Sequence, residues 1–303
     1  MAFVETTLKE CKMSEQTVVA NHAPSILPSD KKWKLVWSDE FDGNTLDESK
    51  WNYRLNFWGY RSPAFTTEGV KVSDGTLKIN LVRHGDDFCS AHLQTGGLTF
   101  DNPRDDTSRI FWPFGAKDKP KFMHRYGYYE IRCRLPKNDG WHCAFWLQSP
   151  SIGAHPNPAY AGVECDIMEN YRRAKFNTMI CGCGWGGYGA ECKWAGHFEF
   201  PFEETPDGWH TYAVDWTPEG YTFYTDGKLV GSQNSPECAV SQVEQFLLVS
   251  TECHGYNRVF GKAGEAGEVV KGCCAGAPVQ ELFDAKLPDF FEVDYVRVFD
   301  EIV

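Results

Sequence analysis

The sequence lacks several features that would point to whole classes of protein. It has no run of about 18 apolar residues, so no segment is long enough to span a bilayer as a helix. Helical periodicity is nearly absent, and no internal repeat divides residues 33–300. The 30 Lys and Arg are outnumbered by 42 Asp and Glu, giving a net charge of −12. Nucleic acids and anionic membranes attract clustered basic residues, so neither is an expected partner.

The N-terminus also lacks the basic-then-apolar pattern of a secretory signal. We therefore expect a cytoplasmic protein from the sequence as written, or a secreted one if a signal has been removed. The 12 cysteines are scattered and contain none of the CxxC pairs of zinc sites. Thiols in the core, disulfides and a metal site are the alternatives. Cys133 and Cys143 lie in strand-like apolar runs, where a thiol behaves as a small hydrophobe, and this favours core thiols.

Short alternating segments with turn residues between them dominate the sequence. Aromatic residues make up 15 % of the chain, and they favour strands or stack on the apolar faces of sugars. Two hairpins are predicted around Asp74-Gly75 and Asp226-Gly227. The pattern predicts an all-β sandwich or barrel. The predicted strand segments are 70–82, 126–135, 209–216, 221–232, 245–253 and 290–300.

The chain divides into two parts by composition. Residues 1–30 have little periodicity and are expected to be a poorly ordered leader or an arm lying on the domain. Residues 31–303 are expected to form one β-sandwich domain, with the chain monomeric. The irregular stretches 101–122 and 255–281 are too long for simple hairpins, so we expect them to wall a binding cleft.

Three acids lie within AGVECDIMENY (161–171): Glu164, Asp166 and Glu169. On a helix they would not share a face, whereas on a strand Glu164 and Asp166 do. A β-bulge at Ile167-Met168 would return Glu169 to the same face. Three neighbouring carboxylates repel one another, so they indicate a chemical purpose or a cation. An acidic edge strand and a Ca²⁺ site remain alternatives.

This arrangement suits the hydrolysis of glycosides. A retaining mechanism needs two carboxyl groups about 5–5.5 Å apart, one ionised as nucleophile and one protonated as acid. Neighbouring negative charges raise the pKa of one member, which keeps a proton available near neutral pH.

The segment ECDIME (164–169) resembles the E-x-D-x-x-E signature of glycoside hydrolase family 16. Five further segments match that family in order, and together they cover roughly residues 33–300. The resemblance implies a concanavalin-like jelly-roll sandwich of two curved antiparallel sheets that cleaves glycosides with retention. The matching segments are WKLVWSDEFDGNTLDESKW, VKVSDGTLKI, HRYGYYEIRCRLPKNDGWHCAFWLQ, WHTYAVDWTPEGYTFYTDGKLV and VDYVRVF.

The resemblance also implies roles for individual residues. Glu164 corresponds to the nucleophile, Glu169 to the general acid/base, and Asp166 to the partner between them. Trp141 and Trp146 correspond to tryptophans that shape the subsites, although Trp146 could instead belong to the core. We expect the loops 101–122 and 181–197 to add further ring contacts, and His254 to contact substrate as well. The tryptophans of these loops are Trp112, Trp185 and Trp194.

The bulged signature resembles the branch of β-1,3-glucanases, agarases and carrageenases. We therefore expect an endo-acting enzyme that hydrolyses a β-1,3-glucan. The alternatives are an endo-β-galactanase of the agarase, porphyranase or β-1,3-galactanase type, a transglycosylase, or a non-catalytic carbohydrate-binding protein on the same fold. No cofactor is required by this chemistry. Glu40 and Asp294 correspond to the ligands of a structural Ca²⁺ in some relatives, and two ordinary surface acids are the alternative.

Overall fold

The predicted strands form two large antiparallel sheets in the computed structural model. The structure describes residues 17–54, 56–57, 60–61, 65–99, 115–116, 119–172, 178–187, 192–201, 205–234, 239–255, 257–258, 274–275 and 278–302. Within these ranges, the strands of the two sheets are β1 Trp33–Asp39, β2 Asn52–Tyr53, β3 Val70–Ser73, β4 Thr76–Asn80, β5 His92–Gln94, β6 Gly127–Arg134, β7 Trp141–Gln148, β8 Glu164–Tyr171, β9 Thr178–Trp185, β10 Lys193–Pro201, β11 His210–Thr217, β12 Gly220–Thr225, β13 Lys228–Gln233, β14 Phe246–Cys253 and β15 Phe290–Glu301.

One sheet has eight strands, in the order β13-β12-β11-β6-β15-β4-β3, with β1 also paired to β15. The other has seven, in the order β10-β9-β8-β7-β14-β5-β2. The acid-bearing strand β8 therefore lies inside the second sheet, between β7 and β9. The all-β sandwich predicted from the alternating segments is confirmed.

Smaller elements lie in the connections between the strands. The described residues include two short helices, α1 Pro158–Ala161 and α2 Gln280–Asp284. No helix among the described segments is long and apolar enough to cross a membrane. Four two-stranded pairs complete the secondary structure: Asn56–Phe57 with Tyr60–Arg61, Val82–His84 with Asp87–Cys89, Leu98–Thr99 with Gly115–Ala116, and Asn257–Arg258 with Cys274–Ala275.

Both predicted hairpins are present, with the turn residues in the expected positions. Asp74 and Gly75 have φ of 57° and 72° between β3 and β4. Asp226 and Gly227 have φ of 49° and 73° between β12 and β13. Two consecutive positive φ angles match a type I′ turn, whose twist fits the flanking strands.

The main core lies between the two sheets. Alternate side chains of each strand enter it, for example Phe145 and Leu147 from β7 and Tyr129 and Ile131 from β6. Burying each such side chain stabilises the fold by about 1.5–3 kcal/mol. The cysteines expected in the core are confirmed as thiols where the structure describes their side chains. Seven are buried, Cys89, Cys133, Cys143, Cys165, Cys181, Cys183 and Cys253, and Cys192 is half-buried.

Residues 17–32 lie as an arm across the eight-stranded sheet. Leu27 is 1 % exposed and packs against Tyr128. The Tyr128 hydroxyl donates to the Ile26 carbonyl at 2.9 Å, and the Ile26 N–H donates to the buried Glu130 carboxylate at 3.0 Å. Of the two alternatives for residues 1–30, an arm on the domain therefore describes residues 17–30, and residues 1–16 lie outside the described residues.

Most of the described residues of the stretch 181–197 belong to two strands, which corrects its prediction as a loop. Residues 178–185 are β9 and residues 193–201 are β10, paired with each other at the edge of the seven-stranded sheet. The strand pattern was hidden because Gly182 and Gly184 interrupt the apolar alternation. The two predicted cleft walls, 101–122 and 255–281, lie mostly outside the described residues.

Candidate active site

The strand β8 carries the β-bulge that its acid spacing requires. Successive residues Phe145 and Trp146 of β7 pair with Met168 and Asp166, which leaves Ile167 as the extra residue of β8. The pairing with β9 is interrupted at the same place. A bulge shifts the alternation of side chains by one position. The predicted bulge at Ile167-Met168 is confirmed.

Because of the bulge, Glu164, Asp166 and Glu169 share the face of the sheet that points away from the main core. Directly paired residues of antiparallel strands point to the same side. The β7 partners on this face are Gln148, Trp146 and Ala144. The side chains of Cys165 and Met168 belong to the main core on the opposite face. The bulge thus allows Cys165 and Met168 to face the main core while all three acids lie together on the opposite face.

Asp166 is the buried member of the three acids, with 5 % of its surface exposed. Burial raises the pKa of Asp166 well above its ordinary value, and the carboxylates of Glu169 and Glu164 raise it further. Both glutamates act on this carboxyl, which agrees with their common face. Asp166 therefore holds a proton at pH values where an exposed aspartate would be ionised.

Glu169 lies beside a stack of aromatic rings. Its Oε1 is 3.1 Å from Nε2 of His142 and accepts a hydrogen bond of 3.5 Å from the Tyr171 hydroxyl. The His142 and Tyr171 rings are nearly parallel, with centroids 4.3 Å apart, and the His254 ring lies 6.1 Å beyond Tyr171. The sequence prediction missed His142 and Tyr171. The sequence did contain a signal for His142, because residues 142 and 146 are an even number of positions apart and therefore lie on the same face of a strand.

Trp146 lies on the same face of the seven-stranded sheet as Glu164, Asp166 and Glu169. This face is called the acid face below, and it also carries a cation close to Trp146. It is 7 % exposed and packs in a small cluster with Phe246 and Leu248, apart from the main core. Its indole N–H donates to the Ser250 hydroxyl at 3.0 Å. The Arg54 guanidinium lies 5.6 Å from the Trp146 ring centre. Trp146 thus lies on the face of the sheet that its predicted subsite role requires, contact with substrate stays a prediction, and Arg54 is an additional residue that the sequence prediction missed.

Arg54 is fixed by the strand beside Trp146. It is 1 % exposed and donates to the side-chain oxygen of Gln148 at 3.0 Å. Gln148 in turn pairs with Glu164 across β7 and β8. A cation is thus built into the acid face of the sheet, close to the residues that carry the acids.

Trp194 lies on the same face, one strand beyond β9. It pairs with Gly184, which pairs with Glu164, so these three residues form a row across the sheet. A Cβ placed on Gly184 would lie 2.9 Å from the Trp194 indole, so the ring occupies the space of the missing side chain. With 51 % of its surface exposed, Trp194 offers a flat apolar surface next to Glu164.

The structure corrects the prediction for two other tryptophans. Trp141 is fully buried and packs with Leu81, Phe88 and Leu282, so it cannot contact a substrate. Its position five residues before Trp146 sends it to the opposite side of a regular strand. Trp185 is half-buried and packs against the main core. Trp112 lies outside the described residues.

The candidate calcium ligands are already paired with cations of the protein. Arg297 donates to both oxygens of Glu40, at 3.0 and 2.7 Å. Arg132 donates to Asp294 at 2.7 Å, and His22 lies 3.2 Å from its other oxygen. These residues do not fit a Ca²⁺ site, because guanidinium groups occupy the carboxylates. No group of three or more His, Cys, Asp or Glu that could hold a metal ion occurs among the described residues.

A two-sheet sandwich with a bulged strand of three carboxylates beside an exposed indole is the arrangement that a carboxylate-based glycoside hydrolase requires. Residues 63–246 match the family described as Glycosyl hydrolases family 16, and the chain belongs to that family.

Two known proteins illustrate the similarity of the chain to other members of the family. The chain is 26 % identical to "Glucan endo-1,3-beta-glucosidase A1" of Niallia circulans over 88 % of its own length and 38 % of that protein. It is 30 % identical to "Beta-porphyranase D" of Zobellia galactanivorans, over 52 % of its length and 35 % of that protein. The chain therefore spans little more than a third of either relative.

A solved structure supports the fold. The catalytic domain of an endo-1,3-beta-glucanase (laminarinase) from Thermotoga petrophila superposes with a TM-score of 0.61 at 24 % identity. The superposition covers 90 % of this chain and all of that domain. The jelly-roll sandwich implied by the sequence resemblance is thereby confirmed.

Proposed function

We propose that this chain is a retaining endo-β-glycosidase that hydrolyses internal β-1,3 linkages, with a β-1,3-glucan as substrate. The observation that carries the proposal is the bulge in β8, which brings Glu164, Asp166 and Glu169 to one face of the sheet. Three adjacent carboxylates repel one another, so they do not stabilise the fold. Their use in catalysis accounts for the arrangement.

Glu164 is the proposed nucleophile and Glu169 the proposed general acid and base. In the first step, a Glu164 oxygen bonds to the anomeric carbon as the glycosidic C–O bond breaks, and Glu169 gives its proton to the departing oxygen. In the second step, water attacks the same carbon, Glu169 takes a proton from the water, and Glu164 departs as a carboxylate. Two inversions at one carbon retain the β configuration.

Asp166 is the proposed neutral partner of the nucleophile. Burial and the two glutamates raise its pKa, which favours a protonated carboxyl at neutral pH. A protonated carboxyl can donate a hydrogen bond to an ionised neighbour. Asp166 would then steady the Glu164 carboxylate before it attacks and after it departs.

The sugar-binding surface supports a polysaccharide substrate. Trp146 and Trp194 lie on the acid face on either side of β8 and β9, and the half-exposed ring of Trp194 offers an apolar surface to a pyranose ring. The similar Niallia and Thermotoga proteins are both named as endo-1,3-β-glucanases or glucosidases, which favours a β-1,3-glucan. The net charge of −12 also argues against a highly sulfated chain.

A β-linked galactan, including an anionic one, is the second candidate substrate. Arg54 favours it through its charge rather than by contact, because it is 1 % exposed but makes the electrostatic potential of the acid face beside Trp146 more positive. The likeness to a porphyranase points the same way.

The test is product analysis on purified laminarin, β-1,3-galactan and porphyran. Mass spectrometry should show ladders of mixed-size oligosaccharides from laminarin, and proton NMR should show the β-anomer as the first product. Hydrolysis rather than transglycosylation requires one ¹⁸O atom from labelled water at each new reducing end. Release of monosaccharide alone, a first-formed α-anomer, or cleavage only of β-1,4 polymers would overturn the proposal. The Glu164→Gln variant serves as the control for contaminating activity.

A further inference from the structure

His142 is a buried imidazole directed at one oxygen of a proposed catalytic carboxyl. Its side chain is 11 % exposed and that of Glu169 is 17 % exposed, so the 3.1 Å contact is largely shielded from water. Yet Nε2 of His142 makes no aligned hydrogen bond within the part of the chain that the structure describes. A buried ring nitrogen that is close to an acid but misaligned calls for an explanation. Contacts of catalytic groups are often misaligned without substrate and become aligned when it binds.

The ring of His142 is held in place by its neighbours. It stacks on Tyr171 at 4.3 Å with an angle of 14° between the rings, and Tyr171 stacks on His254 at the same angle. The backbone N–H of His254 donates to the Gly140 carbonyl at 2.8 Å, which ties the outer ring to the start of β7. The stack therefore fixes the position of Nε2 relative to Glu169.

Both contacts of this cluster reach the same oxygen of Glu169. His142 and the Tyr171 hydroxyl approach Oε1, and neither uses Oε2. The other ionisable neighbours are on β14 and β5. Glu252 pairs with His142 across the strands, and its carboxylate lies 3.5 Å from His92.

We infer that His142 is a positioning residue for Glu169: it holds Oε1 so that Oε2 is the oxygen that gives and takes the proton. The inference rests on the proposed function, in which Glu169 is the general acid and base. Loss of His142 should slow the chemical step without weakening substrate binding. A misplacement of about 1 Å in such a group can lower the rate by about 10²-fold.

Two substitutions separate the nitrogen from the ring. His142→Phe keeps an aromatic ring on Tyr171 and removes Nε2, whereas His142→Gln keeps an N–H near that position and removes the ring. We expect His142→Phe to lower kcat on laminarin by about 10- to 100-fold with KM changed less than twofold. We expect His142→Gln to recover most of that loss. Circular dichroism and thermal melting establish that both variants fold.

A substrate with a good leaving group provides the decisive readout. Departure of 2,4-dinitrophenolate needs no proton, so on 2,4-dinitrophenyl β-laminaritrioside the first step should be nearly as fast in His142→Phe as in wild type. Burst kinetics measure that step. On p-nitrophenyl β-laminaritrioside, which has a poorer leaving group, the loss should reappear. Equal losses on both substrates, a loss confined to KM, or wild-type kcat in His142→Phe would overturn the inference.

The Glu169→Gln variant keeps this result distinct from failure of the proposed function. If Glu169→Gln retains wild-type activity on laminarin, the proposed function is wrong. If Glu169→Gln loses activity while His142→Phe does not, the proposed function stands and the role of His142 is wrong.

Discussion

At the scale of single residues, the two glutamates of β8 have the largest predicted effect on activity. Glu164→Gln and Glu169→Gln are nearly isosteric changes at half-buried positions, so the fold should survive. Each should lower kcat at least as much as the loss of general acid–base catalysis, about 10²–10⁴-fold. Initial rates on the best polysaccharide measure this, with Glu219→Gln at an exposed turn as the matched control. A tenth of wild-type activity in either variant would contradict the assignment.

Asp166 should couple stability to pH. Because the pKa of Asp166 is raised in the folded state, the native protein binds this proton more tightly than the unfolded chain does. Stability is therefore lost as the pH rises from about 3.9, the ordinary value in an unfolded chain, through the raised folded value. Asp166→Asn cannot ionise, so it should be more stable than wild type at neutral and alkaline pH, and the difference should vanish below about pH 4.

Urea denaturation at pH 4, 6 and 8 measures this difference. Each unit by which the folded pKa is raised corresponds to about 1.4 kcal/mol in the free energy of unfolding. The control Asp74→Asn makes the same chemical change at an exposed turn. A constant difference between Asp166→Asn and wild type over this pH range would show that the carboxyl does not hold its proton more tightly in the native state.

Arg297 should be important for stability rather than activity. It is fully buried and donates to Glu40, to the Ala23 carbonyl and to the Ser25 hydroxyl. Arg297→Met leaves the Glu40 carboxylate buried without its cation, which should lower the free energy of unfolding by about 3–5 kcal/mol. Equilibrium urea denaturation measures the change.

The paired variant Arg297→Met with Glu40→Gln removes both charges, and it should recover much of the stability. If the single Arg297 variant unfolds within about 1 kcal/mol of wild type, then the contacts of Arg297 with Glu40 and with the arm do not stabilise the fold.

At the scale of elements, the bulge in β8 should decide whether the acids can act together. Deleting Ile167 removes the extra residue and restores regular alternation, so Glu169 would be turned toward the main core. We expect activity to fall below detection and stability to fall too, because an unpaired carboxylate is costly to bury. Ile167→Val keeps the residue count and is the matched control, with an expected loss of about 0.5–1.5 kcal/mol and near wild-type kcat. Activity in the deletion variant would show that the face assignment is wrong.

The elements differ in how much of them the sequence could predict. The Asp-Gly hairpins and the bulge followed from local rules, because turn chemistry and the parity of three acids act within a few residues. The strands β9 and β10 were missed because Gly182 and Gly184 interrupt the alternation of apolar and polar residues. Gly184 also leaves the space that the Trp194 ring occupies. The placement of Trp141 was wrong even though its parity with Trp146 was available in the sequence.

The contacts around the acids could not be predicted from local patterns. His142 reaches Glu169 across 27 residues only because β7 and β8 pair in one particular register, which the core packing of both sheets determines. Arg54 reaches Trp146 from a different part of the sheet for the same reason. The family resemblance implied the roles of the acids, whereas their neighbours His142 and Arg54 could be identified only from the three-dimensional structure.

At the scale of the whole molecule, the arm of residues 17–32 closes the outer side of the eight-stranded sheet. Removing residues 1–31 should leave the buried Glu130 without the Ile26 N–H and Arg297 without the Ala23 and Ser25 oxygens. Each buried polar group left unpaired costs about 1–3 kcal/mol, so this truncation should lower the melting temperature markedly.

The shorter truncation, which removes residues 1–16, keeps every one of these contacts and is the matched control. We expect the protein without residues 1–31 to melt at a clearly lower temperature than the protein without residues 1–16. Equal melting temperatures for the two truncated proteins would mean that the arm packs on the sandwich without stabilising it.

The thiols buried between and beside the sheets affect how the protein is inactivated by heat rather than how it binds or cleaves a substrate. In the native state burial raises the pKa of Cys133 and Cys143 well above the ordinary thiol value, which keeps them unreactive. Unfolding releases into water the seven cysteine side chains that are buried among the described residues. In air the released thiols can oxidise to disulfides that the described native structure does not contain, and we expect heat inactivation to become irreversible when they do. Under oxidising conditions the half-life of the active protein should therefore depend on its unfolding rate. Under reducing conditions the active fraction should depend on the free energy of unfolding.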